Sequence, residues 1–374
     1  MCKNRYAMSW LDDTKSIFSK NMRDIVVAVG KVPSATVEVS DTDGNAASFL
    51  LQPVNTFITL CTSEVIDSFA QPYPPRINTA ETQVETIHPI SLKISVDGVI
   101  HKSIYIPTIW GGVPDGVKDE HDFLQHHFLT WRPQIGYVTK GIKQQLSLAI
   151  ADTQVGVSDV VRKYRSLYVK VYFRIATPIE LPLEKCVYDN SIYRIDCSYQ
   201  RILDLVRTKL STNDDIVAYD VYGKADDSEY TSMVPQRFIV LPYNSAYEYF
   251  FFQNTMGGFD TIIAYGSTKS ISSSEVSASV VRRQETELVN DFMERWETNT
   301  GYINSNVEKG LWQEFLRSTN RYILRPDGTA RRIIVDDCKA EYTRHKVGSF
   351  TFEYHYAEQD KGAYYKHQET LTEL

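Results

Sequence analysis

The densest group of side chains with metal-binding or acid–base chemistry is Asp119–Asp122 (Asp-Glu-His-Asp), followed by His126 and His127. Carboxylates and imidazoles are ligands of catalytic zinc, which needs three protein ligands held together. On a helix such histidines stand four residues apart, as in His-Glu-x-x-His. His121 and His126 are five apart and do not share a helical face. The spacing favours a polar loop over a metal centre. If the chain were a hydrolase, Asp119, His121 and His126 would be the first candidates for its catalytic residues.

The segment Asp41–Asn45 has the opening spacing of a calcium-binding loop. Such a loop places glycine at its sixth position and a bidentate glutamate at its twelfth. Here those positions are occupied by Ala46 and Gln52. Because Asp, Gly and Asn also form tight turns, the pattern predicts a hairpin turn and no calcium site.

Adjacent carboxylates occur at Asp214-Asp215, Asp226-Asp227 and Asp336-Asp337. Glycoside hydrolysis needs two carboxylates that face each other across a cleft. Neighbours on a strand point to opposite faces, so these pairs cannot act as such a dyad. The sequence also has no Gly-x-Ser-x-Gly nucleophile elbow and no glycine-rich phosphate loop with lysine. Since catalytic triads assemble in space, missing motifs do not exclude an enzyme. Because no motif gives a positive reason to propose an enzyme, we predict that this chain is not an enzyme and has no catalytic, cofactor-binding or metal-binding residues.

Three tryptophans, Trp110, Trp131 and Trp296, have side chains that could stack on sugars. In a β-sandwich, a tryptophan lies more often in the core or in an interface, where its apolar body is buried. We therefore expect core or interface positions for all three.

The five cysteines are scattered, odd in number and without a Cys-x-x-Cys pair; they are Cys2, Cys61, Cys186, Cys197 and Cys338. Structural zinc needs closely paired ligands, and disulfides are rare in a reducing cytoplasm. The pattern predicts free, buried thiols in a protein assembled in the cytoplasm.

Composition excludes several classes of function. The formal net charge is -7 and the pI is near 5.7, whereas duplex DNA requires lysine and arginine at its phosphates. No run approaches the roughly 18 to 20 apolar residues that span a bilayer. The first ten residues lack the apolar region of a secretory signal. We expect no direct nucleic-acid binding, no membrane span and no secretion signal.

The first part of the chain reads as a short arm, residues 1–22, followed by a β-sandwich, residues 23–175. Alternation of apolar and polar residues predicts its strands, for example Thr36–Val39. Asp97-Gly98 is a preferred type I′ pair between two β-branched runs and predicts a hairpin. Residues 107–135 contain several prolines and glycines and predict a long irregular loop, which in compact domains is usually functional.

The second part reads as a smaller β-sandwich over residues 176–266, beginning where Pro178 and Pro182 mark a boundary. Apolar residues from Tyr199 to Leu210 fall at helical spacing. Gly257-Gly258 lies between two aromatic and β-branched runs and predicts a tight hairpin, because glycine takes positive φ freely. The serine-rich residues 267–279 predict a linker or mobile loop.

The third part reads as a smaller α+β domain over residues 267–357, with a tail at 358–374. Ser305 and Glu308 form a capping box for a helix near 305–318. The fold class predicted from the whole chain is mainly β, with tandem antiparallel, Ig-like sandwiches and extended terminal arms. The 24 tyrosines support strands and permit extensive assembly, because tyrosine is enriched at protein contacts.

Several stretches carry a resemblance to a known family. They are the strands from Ile25 to Leu60, Phe128–Pro133, Phe250–Thr261, Thr298–Ile303, the helix through Trp312 leading to Ser318–Tyr322, and Phe350–Tyr356. In this order they resemble tail and baseplate structural proteins, including tail hub-like proteins, of tailed bacteriophages and prophages of gut bacteria. The resemblance spans most of the chain, and its motifs are structural rather than chemical.

The resemblance implies a virion component that assembles into a ring or hub with copies of itself and other tail proteins. It carries over no catalytic residue or cofactor. Identical subunits around an axis use heterologous interfaces that close, and the arm, the 107–135 loop and the tail are the expected contact elements. The competing expectations are a carbohydrate-binding adhesin module of the tail and, after it, a β-fold hydrolase.

Overall fold

The structure is a computed structural model of the chain. It describes residues 18–22, 24–70, 82–87, 89–150, 164–187, 190–210, 214–225, 233–281, 284–303, 305–339 and 348–357. The predicted tail and most of the predicted arm lie outside these residues. The chain divides into two compact units, Met1–Pro242 with Asn254–Asp260, and Tyr243–Gln253 with Thr261–Leu374.

The first unit contains most of the strands and three helices of the described chain. After a 3-10 turn at Ser19–Asn21, its elements are β1 (Ile25–Ala28), β2 (Ala35–Ser40), β3 (Ala46–Leu51), β4 (Phe57–Leu60), α1 (Thr62–Phe69), β5 (Gln83–Thr86), β6 (Pro89–Val96), β7 (Val99–Pro107), α2 (Glu120–His126), β8 (Ile135–Thr139), β9 (Gln145–Ile150), β10 (Tyr164–Phe173), β11 (Ile179–Val187), β12 (Ser191–Asp196), α3 (Tyr199–Lys209), β13 (Ile216–Ala225) and β14 (Gln236–Leu241).

Four sheets are formed by the residues of this unit that the structure describes. Their strand orders are β1-β4, β3-β2-β6-β7, β5-β12-β9 and β11-β10-β13-β14-β8. The strand pairs are antiparallel except for β14 and β8, which run parallel. With strands making up 51% of the structure, the prediction of a mainly β fold with antiparallel sheets is confirmed.

The four-stranded sheet buries one face, as the alternating sequence predicts. In β2 and β6 every second residue is buried, and these residues form one cluster with Ile66 of α1. Asp97 and Gly98 both have positive φ, 53° and 75°, so the predicted hairpin between β6 and β7 is confirmed. The main stabilising term here is the burial of apolar surface, which contributes about 25 cal/mol for each Å² removed from water.

A second core lies between the five-stranded sheet, the three-stranded sheet and α3. Alternate residues of β10, including Leu167 and Val169, are fully buried, as are Leu146 and Leu148 of β9. Ile202 of α3 belongs to the same cluster. The helix Tyr199–Lys209 agrees with the predicted helical spacing.

The second unit is built around one sheet and one helix. Its elements are β15 (Glu248–Gln253), β16 (Phe259–Ala264), whose first two residues are assigned to the first unit, β17 (Thr268–Val281), β18 (Gln284–Asn299), α4 (Asn306–Arg317), β19 (Arg321–Leu324), β20 (Ala330–Lys339) and β21 (Thr351–Tyr356). The sheet order is β16-β15-β19-β20-β21-β18-β17.

Aromatic side chains form the core of the second unit. Phe315 of α4 lies within 5.5 Å, between ring centroids, of Phe250, Phe252, Trp312 and Phe352. All four pairs are tilted or edge-to-face, the arrangement that aromatic quadrupoles favour. The predicted N-cap is confirmed, because Ser305 Oγ accepts a hydrogen bond from the Glu308 amide at 3.1 Å.

The serine-rich segment 267–279 is a strand, and the prediction of a linker was wrong. It forms most of β17, which pairs with β18 from Thr268↔Thr298 to Val281↔Gln284. Strand pairing satisfies the backbone hydrogen bonds whatever the side chains are, so serine composition does not prevent a strand.

The predicted loop at 107–135 is partly helical. Asp119 is the N-cap of α2 and accepts hydrogen bonds from the His121 and Asp122 amides. Phe123 and Leu124 of this helix are buried in one cluster with Phe18. The prediction of a wholly irregular segment missed a helix of only seven residues, which is too short to show a clear period.

Strands on both sides of the predicted boundary near residue 175 share sheets. β12 pairs with β9 and β5, and β14 pairs with β8, so the structure divides the chain elsewhere. Pro182 lies inside β11, an edge strand. An edge strand tolerates proline, so this residue does not end a domain.

The thiols differ in exposure. Cys186 and Cys197 are buried, as predicted, whereas Cys338 is partly exposed and Cys61 is exposed. Cys61 directly follows the short strand β4, at the start of α1. Cys2 lies outside the described residues. Among those residues, no helix is long and apolar enough to cross a bilayer.

Candidate functional site

The acidic and histidine-rich cluster at 119–127 serves helix formation. Besides the Asp119 cap, His126 Nδ1 lies 2.7 Å from the Asp122 carbonyl oxygen, and His127 stacks on Phe123. Burial and the neighbouring His126 lower the pKa of His127. Within the described residues, no group of three His, Cys, Asp or Glu side chains is placed to hold a metal ion.

The calcium-like segment forms the turn between β2 and β3. Asp41 Oδ1 accepts hydrogen bonds from the Asp43 and Asn45 amides at 3.0 and 2.9 Å. Burial alone would raise the pKa of Asp41, but hydrogen bonds from Asn45 and Asp43 outweigh it and lower that pKa. The carboxylate is therefore occupied by its own turn, as the predicted hairpin requires.

The adjacent carboxylates stabilise turns and strand ends. Asp214 accepts hydrogen bonds from the amides of Ile175 and Ala176. Asp336 lies 2.8 Å from His355 Nδ1. The pair Asp226-Asp227 lies outside the described residues. In these contacts the described carboxylates bind amide groups and a histidine, as residues at turns and strand ends do.

The three tryptophans lie in different surroundings. In the first unit, Trp110 lies under the Lys20 ammonium, 4.4 Å from the ring centroid, and Trp131 Nε1 donates to Thr255 Oγ1 at 2.9 Å. In the second unit, Trp296 contacts Tyr356 edge-on. All three are half-buried.

Two of the stretches that carry the family resemblance contact each other within the first unit. The hairpin residues Asn254–Asp260 lie on Leu129–Arg132. Asn254 Nδ2 donates to the Leu129 carbonyl at 3.0 Å and to Asp260 at 2.8 Å. Asn254 Oδ1 accepts from the amides of Met256 and Gly258, so one buried amide side chain organises the turn.

A buried ion pair lies beneath this contact. Arg132 Nε is 3.5 Å from Asp260 Oδ1, and the side chains are 3% and 0% exposed. Thr130 Oγ1 also donates to Asp260. Burial lowers the pKa of Arg132, and the Asp260 charge opposes that effect. Such a pair needs its partners because an unpaired buried charge is very costly.

Gly257 and Gly258 have different structural roles. Gly257 has φ of 84° and faces the Trp110 carbonyl, whereas Gly258 has an ordinary φ and lies against the Leu129 carbonyl. Of the pair, only Gly257 takes the left-handed conformation expected from the sequence. Gly258 is required for close approach of two backbones.

The outer face of the five-stranded sheet carries aromatic and charged side chains from all five strands. We call it the tyrosine face and define it by Ile135, Tyr137, Tyr168, Lys170, Tyr172, Glu180, Asp220, Tyr222, Lys224, Arg237 and Ile239. Strand register places these residues side by side, because directly paired residues project to the same face. Their neighbours along the strands fill the core.

One half of the tyrosine face is organised around Asp220. Arg237 donates to both carboxylate oxygens, from Nε at 2.6 Å and from Nη2 at 2.7 Å, and Tyr172 donates at 2.8 Å. The Arg237 guanidinium also lies over the Tyr172 aromatic ring, 5.1 Å from its centroid. Hydrogen bonding to Asp220 raises the pKa of Arg237.

The other half is organised around Lys224. Its ammonium lies 2.6 Å from Glu180 Oε1 and 4.5 Å from the centroid of the Tyr168 ring. Tyr222 stacks on Tyr168 with centroids 6.5 Å apart and donates to Glu180. Burial, followed by this hydrogen bond, raises the pKa of Tyr222.

The edge of the tyrosine face is exposed and apolar. Ile135 and Tyr137 of β8 are 53% and 50% exposed, and Ile239 is their half-buried neighbour on β14. The period-two spacing of Tyr168, Lys170 and Tyr172 is visible in the sequence and could have indicated one face of a strand. The complete face has no signal in the sequence, because its strands are brought together only by the sheet.

A cavity of about 570 Å³ is also present in the first unit. It is lined by the β2–β3 turn, the end of α1, strands β5 and β12, the residues after β7 including Trp110, and Gly257. On one wall Arg194 Nη2 contacts Glu85 Oε2 at 2.5 Å, with side chains 5% and 18% exposed. This volume is within the roughly 300–1,000 Å³ range of ligand sites.

Comparison with known proteins adds no assignment to this geometry. No protein-family model matches the chain, and a search of curated proteins found no match.

Proposed function

We propose that this protein is a structural component of a phage tail, baseplate or tail hub, assembling into a ring with copies of itself and with other virion proteins. The observation that carries the proposal is the tyrosine face. Tyrosine and arginine are enriched at protein–protein contacts, where they often supply most of the binding energy. On this face they lie beside an exposed edge formed by Ile135 and Tyr137, with Arg237 paired directly to Ile135.

The tyrosine face is held in one conformation before any partner binds. Tyr172 and Arg237 both hydrogen-bond Asp220, and Tyr222 and Lys224 both contact Glu180. Immobilising a flexible side chain in an interface costs about 0.5–1.5 kcal/mol, so prior ordering favours association.

Four of the charged side chains on the tyrosine face are paired within it. Arg237 with Asp220 and Lys224 with Glu180 are complete ion pairs. A partner surface therefore need not supply a compensating charge for either pair. This arrangement suits contact with an aromatic or aliphatic neighbour more than recognition of a strongly charged molecule.

The packing of the resembling stretches also supports a structural role. Asn254–Asp260 and Leu129–Arg132 are joined by side-chain hydrogen bonds and a buried ion pair. Their polar groups bond to each other and so maintain the fold. This agrees with a resemblance whose motifs are structural.

The test is the native mass of the full chain, measured by light scattering. The variant Ile135→Asp/Tyr137→Asp introduces charge at the exposed edge. The matched control is Tyr302→Asp/Val307→Asp, which changes a tyrosine and an aliphatic residue that are 77% and 51% exposed in the second unit. We expect a closed oligomer for the parent and the control, and a monomer for the first variant.

Two results would contradict the proposal. One is a monomeric parent protein. The other is an oligomer that both double variants leave unchanged, since the tyrosine face would then not be its interface. Circular dichroism of all three proteins checks that each remains folded.

A further inference from the structure

The cavity of the first unit has walls of three different kinds. The first wall is the turn between β2 and β3, which contributes Asp41, Thr42, Asp43 and Asn45. Asp41 holds this turn by accepting hydrogen bonds from Asn45 and the Asp43 amide. The turn therefore presents hydroxyl, amide and carboxylate groups on a backbone that is already ordered.

The second wall contains a nearly buried ion pair. Arg194 contacts Glu85 and also lies over the Phe259 ring, 5.0 Å from its centroid. Arg194 Nε has no hydrogen-bond partner in the part of the chain that the structure describes. The guanidinium and the carboxylate of this pair place hydrogen-bond donors and an acceptor side by side on the wall.

The third wall is apolar and includes an aromatic ring. Trp110 is half-buried, and Ile87, Ile109 and Ile192 beside it are buried. Lys20 lies over the Trp110 ring and so restricts its position. Tryptophan offers a flat apolar surface together with a polar N–H, the combination found where one side of a ligand is apolar and the other is wet.

We propose that this cavity is a binding site for a neutral saccharide. A sugar ring has an apolar C–H face that would stack on Trp110 and hydroxyl groups that both donate and accept. Asn45, Thr42 and the Glu85–Arg194 pair offer both kinds of partner. Apolar walls with a few placed polar groups are the usual composition of a ligand site.

The charges of the cavity select against anionic ligands. The charged residues that line it are Asp41, Asp43, Glu85 and Arg194, so carboxylates outnumber the guanidinium. An acidic sugar such as a sialylated glycan would be repelled, because like charges in a partly desolvated site oppose binding. Asp41 is engaged in its own turn and Glu85 in the ion pair with Arg194, so hydroxyl binding is assigned to Thr42, Asn45 and the Glu85–Arg194 pair.

The experiment uses the full chain and a glycan array that contains neutral hexose and N-acetylhexosamine oligosaccharides beside sialylated ones. The neutral oligosaccharide with the strongest signal is then titrated by calorimetry. We expect Trp110→Ala to weaken binding at least tenfold. Ser68→Trp, at an exposed position on the cavity rim, should block binding without changing the core.

Tyr302→Ala is the matched control, because it removes an exposed aromatic residue of the second unit. It should bind as the parent does. Binding of no glycan, preference for sialylated glycans, or equal loss in Tyr302→Ala and Trp110→Ala would each overturn the proposal. The titration measures saccharide binding and not oligomeric state. The saccharide proposal and the assembly proposal can therefore fail independently of each other.

Discussion

The guanidinium of Arg132 lies 3.5 Å from the carboxylate of Asp260, with both side chains almost completely buried. Arg132 belongs to the segment before β8, and Asp260 follows the glycine hairpin, so the pair joins two distant parts of the chain within the first unit. Asn254 and Thr130 complete the shell around Asp260. Removing one partner of such a pair leaves a buried charge uncompensated.

Replacing Asp260 is therefore expected to destabilise the first unit strongly. Asp260→Asn should lower the free energy of unfolding by about 3–5 kcal/mol, because Arg132 would remain buried without a counter-charge. Urea denaturation followed by fluorescence measures the loss. The double variant Arg132→Met/Asp260→Leu removes both charges and should recover part of it. A double variant less stable than Asp260→Asn would contradict this account.

The glycine hairpin should be intolerant of any side chain. A Cβ at Gly258 would collide with the Leu129 carbonyl, and one at Gly257 would collide with the Trp110 carbonyl. Gly257→Ala also places alanine at φ of 84°, which disfavours any L side chain. Both alanine variants are expected to melt at a lower temperature than the parent in a thermal scan.

Gly310→Ala is the matched control for the hairpin variants. Gly310 lies in α4, and a Cβ there would meet no atom within 4 Å. Alanine in a helix is favoured over glycine by about 0.8–1.0 kcal/mol, so this variant should melt at a higher temperature. If Gly258→Ala is as stable as Gly310→Ala, the close approach to Leu129 is not a constraint.

Buried tyrosines predict alkaline unfolding. Burial raises the pKa of Tyr219 well above its ordinary value and raises that of Tyr354. A tyrosine with a raised folded-state pKa contributes its full stability below about pH 10, where the unfolded chain would begin to ionise, and loses it as the pH rises. The free energy of unfolding should therefore fall above that pH.

Absorbance of tyrosinate during a pH titration measures this effect. The folded protein should ionise fewer tyrosines at pH 11 than the denatured chain does. Tyr219 donates a hydrogen bond to the Cys197 carbonyl, so Tyr219→Phe should lower stability at neutral pH and flatten its decline at alkaline pH. An unchanged alkaline slope in Tyr219→Phe would show that Tyr219 does not couple ionisation to unfolding.

The N-terminal arm can be divided at Phe18. Phe18 is fully buried, and its amide donates to Glu120 at 3.0 Å, while the amide of Ser19 donates to the Ile109 carbonyl. Phe18→Ala should cost about 3–5 kcal/mol, the usual range for a buried phenylalanine. Deletion of residues 1–17 keeps Phe18 and these two hydrogen bonds, so a thermal scan of the truncated protein measures what the deleted residues themselves contribute.

The same deletion tests the arm as an assembly element. If residues 1–17 contact a neighbouring subunit, the truncated protein should have a lower native mass than the parent while remaining folded. Equal masses would remove the arm from the interface and leave the tyrosine face as the contact proposed here. Deletion through residue 20 is not suitable, because it also removes the buried Phe18.

The sequence alone predicted local structure where the pattern is local. Alternation marks the buried face of β2, Asp97-Gly98 predicts the hairpin between β6 and β7, and Ser305 with Glu308 predicts the start of α4. Each of these signals lies within a few residues, because backbone conformation and capping are decided by neighbours. The serine-rich strand β17 was missed because its pairing with β18 outweighs composition.

Tertiary structure decided which of these elements share sheets and what their side chains meet. Tyr172 and Arg237 reach the same carboxylate only because β10, β13 and β14 pair side by side. Asp260 pairs with Arg132, and Trp110 lines the same cavity as the β2–β3 turn; neither arrangement has a local sequence signal. Strand order and the packing of sheets depend on the free energy of the whole chain, so the sequence pattern determined the strands and the tertiary fold decided the sites.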